Sequence, residues 1–187
     1  MFGLFGGKKK KELEKNNKAE EAQSYINEVQ KNKGLPTITP SIFLDKGEIA
    51  FLEEHTTLLE TRAVTKYSSI GGGVGLRVAK GLYIGQGSRS GTSESTQEWK
   101  AIDTGKVIIT NQNIIFDGEK ENRILKIKDI MSISVSLDAI EISAKSKSKS
   151  MIFSVGNGYI WGAVINIIRQ TDNPLNLEGI DLDIKFQ

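Results

Sequence analysis

There is no cysteine in the 187 residues, which excludes disulfides, zinc–thiolate centres and thiol nucleophiles and fits a reducing compartment. Histidine occurs once, at His55, beside Glu53 and Glu54. A metal or acid–base site needs further ligands in fixed geometry. Two adjacent carboxylates on a strand also point to opposite faces, so they could not share a substrate. Strong net charge is missing: 25 basic and 23 acidic side chains leave +2, no general electrostatic case for nucleic acid. A basic stripe interleaved with aromatics is lacking as well. No apolar run approaches the roughly 20 residues that cross a bilayer. The opening Met1-Phe2-Gly3-Leu4-Phe5-Gly6 is too short for the apolar region of a signal peptide. Proline is scarce, and two of the three fall at Pro36 and Pro40. They make Gly34–Ser41 a linker and the clearest segment boundary.

Glycine is not scarce, yet its clusters fail the nucleotide patterns. In Tyr67-Ser68-Ser69-Ile70-Gly71-Gly72-Gly73-Val74-Gly75, the third glycine of a dinucleotide fingerprint is replaced by Val78. Gly105-Lys106 is followed by Val107 inside a strand pattern, which rules out a phosphate loop. The glycine stretch reads as a hairpin tip. Beyond it Leu76 and Val78 alternate with Arg77, and Gly81 is expected to bend the pleat before Leu82 and Ile84. Residues 85–98 (GQGSRSGTSESTQE) read as a mobile polar loop, and Trp99 as the anchor of the returning chain.

What the chain has is β pattern, densest from Asp103 to Val135. Val107-Ile108-Ile109 and Ile114-Ile115-Phe116 flank a turn at Thr110-Asn111-Gln112-Asn113, and Asp117-Gly118 supplies a second turn. Ile124, Leu125 and Ile127 begin another strand. Met131-Ser132-Ile133-Ser134-Val135 alternates with period two, one face buried and one wet. Asp138 marks a turn, after which Ile140 and Ile142, then Met151, Phe153 and Val155, repeat the alternation. Short strands joined by tight turns imply an antiparallel meander. The last strong signal is helical: Ile160, Val164, Ile167 and Ile168 form a wide stripe with Trp161 and Ile165 beside it.

The run T-G-K-V-I-I-T-N-Q-N-I-I-F-D-G, then I-K-D-I-M-S-I, D-A-I-E-I-S, M-I-F-S-V and a helix with Trp161, resembles the bacterial pleckstrin-homology-like and GRAM-like domains over roughly Gly47 to Gln170. The resemblance implies a mainly β fold: a bent antiparallel barrel of about seven strands capped by a C-terminal helix, here with an N-terminal helical extension. It also implies a non-catalytic binding module for lipid headgroups or protein segments, with no cofactor and no catalytic residue. The organisation expected is 1–41 as basic tip, helix and linker, 42–171 as the domain, and 172–187 as a tail or extra edge strand.

Candidate contacts are the basic residues. Lys8, Lys9, Lys10 and Lys11 follow Phe2, Leu4 and Phe5, a pattern suited to a membrane-touching tip on anionic headgroups. Lys66, Arg77 and Lys80 lie around the glycine-rich tip, more loosely than in the phosphoinositide motif of that family, and Arg89 stands in the polar loop 85–98, where it could contact phosphate. Lys145, Lys147 and Lys149 alternate with serine between two strands and, if extended, would form a comb on one side. From 12 to 33, Ala22, Ile26 and Val29 share one helix face that could dock on the domain or on a second copy. Expected partners are an anionic lipid surface or a protein, with a homo-oligomer through that helix as the alternative and no nucleic acid. The expected location is cytoplasmic, with peripheral contact at the inner membrane face, as in a bacterial or phage protein.

Overall fold

The computed structural model describes residues 5–70, 76–79, 82–84, 90–147, 149–180 and 182. In chain order the elements are α1 (Phe5–Asn32), β1 (Ala50–Ile70), β2 (Leu76–Ala79), β3 (Leu82–Ile84), β4 (Ser90–Thr110), β5 (Asn113–Gly118), β6 (Asn122–Lys126), a 3-10 turn (Ile127–Asp129), β7 (Ile130–Val135), β8 (Ala139–Ala144), β9 (Met151–Ser154) and α2 (Gly158–Gln170). The chain forms two units, 1–60 with 101–187, and 61–100.

The first unit is built on a seven-stranded antiparallel sheet in the order β6-β5-β4-β1-β9-β8-β7. Its inward positions are those the alternation marks. Ile140 and Ile142 of β8 lie opposite Phe153 and Met151 of β9, and all four are buried. Phe116 and Phe153 meet at 6.0 Å between ring centroids, tilted by 41°. The sheet is mainly as expected, a bent sheet capped by a helix, but it stays open. Strands β6 and β7 are its two edges, and the 3-10 turn carries the chain from one to the other in place of a hydrogen-bonded ladder. A bulge between Ile130 and Ser132 disrupts β7, a device that discourages further edge pairing. It also corrects the strict alternation expected there, because Met131 is exposed at 63%.

Helix α2 closes the sheet's apolar face. Trp161, Ala163, Val164, Ile165, Ile167 and Ile168 are buried, with Trp161 at the centre of the face and Ile160 at its margin. Two glycines let the turn after β7 come close. A Cβ at Gly158 would lie 2.7 Å from the Ala139 carbonyl oxygen, and one at Gly162 would lie 2.6 Å from Cγ2 of Val135. Helix α1 docks through Ala22, Ile26 and Val29, the three residues that share a face at helical spacing. Its start differs from expectation: the helix begins at Phe5, so the lysines from Lys8 to Lys11 lie on helical turns. Four consecutive residues span a full turn and cannot form one face.

Residues 34–41 are pinned to the sheet. The Leu35 amide donates to Pro174 O (2.8 Å), Ile38 bridges Ala50, and the Ser41 amide donates to Glu53 Oε2 (2.7 Å). The C-terminal residues belong to the same body: Pro174, Leu177 and Leu182 are buried, and the Leu177 amide donates to Lys33 O (2.7 Å). No strand is present among the described residues after α2, and most of the alternation at 180–186, where an extra edge strand was expected, lies outside the described residues.

The second unit holds residues 61–70 of β1, residues 90–100 of β4, and the β2–β3 pair. Leu76 lies opposite Ile84 and Arg77 opposite Tyr83 in an antiparallel pair whose register shifts between Arg77 and Ala79; Gly81, where the pleat was expected to bend, and the glycine tip at 71–75 lie outside the described residues. Ser90–Glu98 are strand, correcting that part of the expected polar loop, because strand formation does not require apolar side chains; residues 85–89 of the loop lie outside the described residues. Trp99 is 43% exposed, so it is no buried anchor.

Candidate functional site

The turn between β4 and β5 fixes one side of the candidate site. Thr110 Oγ1 accepts the amides of Gln112 (3.1 Å) and Asn113 (2.8 Å) and donates to Glu48 Oε1 (2.5 Å), which also takes Asn113 Nδ2 (2.7 Å). Asn111 Oδ1 accepts the Ile49 amide (2.9 Å), and its Nδ2 donates to Gly47 O (3.2 Å). The T-N-Q-N motif therefore clamps the 45–49 segment against the sheet. The Thr110, Asn111 and Asn113 side chains are occupied by structure, which leaves the exposed Gln112 and the charged neighbours to meet a ligand.

Those neighbours border a groove of about 720 Å³. Lys126 and Lys128 come from the corner between β6 and β7, Arg169 from the last turn of α2, and Asp45 and Asp172 complete the rim. All five are exposed. The lysine turn between β8 and β9 adjoins the same corner, because the Lys145 amide donates to Asp129 O (2.9 Å). Cations from three separate elements thus meet around one corner. Lys145, Lys147 and Lys149 are exposed at a hairpin tip, as expected. The tip is a turn closed by the Lys147 amide on Ala144 O (3.0 Å) and by Ser143 Oγ to Ser150 Oγ (2.6 Å). The extended comb is corrected accordingly, since a closed turn splays side chains that a strand would align.

Lys10 is exposed on α1. Lys18, further along that helix, donates to Leu137 O (3.2 Å) at the end of β8 opposite the lysine tip. Six strand residues separate those ends by roughly 20 Å. Phe5, Lys8, Lys9 and Lys11 lie on α1, Lys66 on β1 and Arg77 on β2, and their side chains are outside the described part. Phe2, Leu4, Lys80 and Arg89 lie outside the described residues. Lys126, Lys128 and Arg169 were not legible as a site, because only the topology brings their segments together.

A second groove, of about 560 Å³, crosses the sheet and includes His55, Thr57, Lys106, Asp117, Glu119 and Ser154. Lys106 Nζ is held by Glu53 Oε1 at 2.9 Å. The Glu53 carboxyl is held below the usual carboxylate range: partial burial works to raise it, and the Ser41 amide and Lys106 outweigh that. Glu54 faces the other way, accepting Trp161 Nε1 (2.7 Å) and the Gly156 amide (2.6 Å). The two adjacent glutamates thus serve separate structural contacts. Among the described residues no group of three or more His, Cys, Asp or Glu could hold a metal ion, and no helix is long and apolar enough to cross a membrane.

Comparison with protein-family models, with curated proteins and with solved structures finds no match.

Proposed function

We propose that the chain is a non-catalytic binding module of pleckstrin-homology-like type that docks peripherally on an anionic lipid surface. One observation carries this reading: exposed Lys126, Lys128 and Arg169 ring a groove whose corner is tied by backbone to the Lys145–Lys149 turn. Each basic residue near an anionic bilayer contributes about 1 kcal/mol, and several together make a contact that one cation cannot. The Thr110, Asn111 and Asn113 side chains of the adjoining turn are bonded within the protein, so the corner offers charge, shape and the exposed amide of Gln112. Self-association through α1 is less favoured, because Ala22, Ile26 and Val29 are already buried within the chain.

The test is flotation of the full chain with neutral and with phosphatidylserine-containing vesicles. Binding should require the anionic lipid and weaken with salt. Replacing Lys126, Lys128 and Lys145 together by glutamine should weaken it by about 100-fold, at about 1 kcal/mol per lysine. Equal binding to neutral vesicles, or none to either, overturns the lipid reading and leaves a protein partner as the ligand of the corner.

A further inference from the structure

The basic corner has an apolar companion. Phe43 is fully exposed (104%), whereas Ile42 and Leu44 on either side are half-buried. The loop that presents it is braced at both ends. The Ser41 amide is held by Glu53 Oε2 at 2.7 Å, and the Glu48 amide donates to Asp45 O at 3.0 Å. Glu48 is in turn fixed by Thr110 and Asn113. A phenyl ring on a dangling segment could fold back onto the body, but this one stands out from a segment held in place. Asp45, two residues along, lines the groove of the basic corner, and two residues of chain span at most about 7 Å. Lys46 is exposed in the same loop.

We propose that Phe43 is the wedge that enters the headgroup–acyl boundary of the bilayer when the basic corner docks, a role that rests on the lipid reading above. The surroundings favour a bilayer over a protein pocket as its occupant. Ser41, Asp45 and Lys46 are exposed and polar, so the ring lacks the apolar collar that forms the core of a protein interface. A bilayer needs only an apolar side chain and nearby cations, since the chemistry on its side is continuous. One weak electrostatic contact gives reversible adhesion, and an inserted ring supplies the second signal that fixes orientation.

Two variants of the full chain test this on vesicles of phosphatidylcholine with one-quarter phosphatidylserine. Phe43→Ser should bind about tenfold or more weakly, the scale set by withdrawing one aromatic side chain from an apolar medium. Its melting temperature should be unchanged, because the ring touches little of the fold. Phe43→Trp should show a blue-shifted emission on binding and stronger quenching by acyl-brominated lipid than the wild type, whose Trp99 and Trp161 give the background. If Phe43→Ser binds as the wild type does, or the bound tryptophan variant shows no added quenching, the wedge is wrong while the basic corner stands. If no version binds anionic vesicles, both fall. Binding restored only by an added protein would assign Phe43 to a protein pocket instead.

Discussion

Two helices cover the first unit, and they are held by different physics. Helix α2 has 13 residues and buries seven of them, Trp161 among them. Helix α1 has 28 residues and buries a stripe of three, Ala22, Ile26 and Val29. The short helix is a lid on the core that the sheet cannot do without. The long one is a strap, and its exposed residues from Glu12 to Asn17 do not add to the core. Besides sharing one apolar cluster, they are clasped by a polar residue. Asn157 caps α2 by accepting the Tyr159 amide (3.1 Å), and its Nδ2 donates to Lys18 O and to Glu21 Oε2, both at 2.9 Å. The contrast teaches that helix length says little about structural weight. A wide apolar face is stabilised by burial, whereas a thin stripe needs polar clasps to fix its position.

The contrast breaks most visibly at Trp161. Trp161→Ala should cost about 3–5 kcal/mol, as truncation of a buried aromatic does, and it also leaves Glu54 without the indole donor. A chemical denaturation curve superimposable on the wild type would show that α2 is not the lid. Next comes Ile26→Ala, expected to cost about 2–3 kcal/mol. Hydrogen exchange should show that loss concentrated in α1 while β8 and β9 stay protected; uniform loss of protection would mean that strap and lid are one cooperative piece. Asn157→Ala should cost about 1–2 kcal/mol by removing the cap and the clasp together, with both helices exchanging faster in the same variant.

A carboxylate on neither helix extends the comparison to acid. Asp103 is buried and accepts the amides of Lys120 (2.7 Å), Glu121 (2.9 Å) and Thr104 (2.9 Å). The Lys120 amide is the largest influence, and together these donors hold the carboxyl below its usual range against the opposing effect of burial. A depressed carboxyl contributes stability above its unfolded pKa of about 4, and that contribution is lost as pH falls through the folded value. Asp103→Asn should therefore flatten the fall in melting temperature below about pH 4; an unaltered acid slope would remove Asp103 from the account. The smallest effect has the opposite sign. The Tyr25 hydroxyl on α1 is buried without a partner, and its pKa is pushed up to about 12 by burial and then by Glu28. Tyr25→Phe should leave stability unchanged or raise it by up to about 1 kcal/mol, because it removes an unsatisfied polar atom. A clear loss in calorimetry would reveal a hydrogen bond at that hydroxyl.

Much of this fold was legible. The alternation of Ile140 and Ile142 with Glu141 and Ser143 placed β8 correctly, because a half-buried strand must repeat every two residues. Ala22, Ile26 and Val29 marked the docking face of α1 for the analogous reason at helical period. Reading failed where polar composition masked a strand, as in Ser90–Glu98, and where a bulge shifted the pleat at Met131. The site was less visible. Lys145, Lys147 and Lys149 stood out as a cluster in the chain, whereas Lys126, Lys128 and Arg169 are ordinary surface cations until the corner and α2 converge. Ile42-Phe43-Leu44 is a continuous apolar run in the sequence, and nothing in it marks the central ring as the one left outside.

By itself the sequence determined the elements: the periodicities that separate wet faces from dry ones, the turns, and a terminal helix too apolar to stand alone. Which cations share a corner was decided only by tertiary structure, as were the unpaired edges of the sheet and the outward position of Phe43. The reason is that burial pattern is a local property of one segment. Convergence depends on the order in which distant segments pair, and no single segment contains that information.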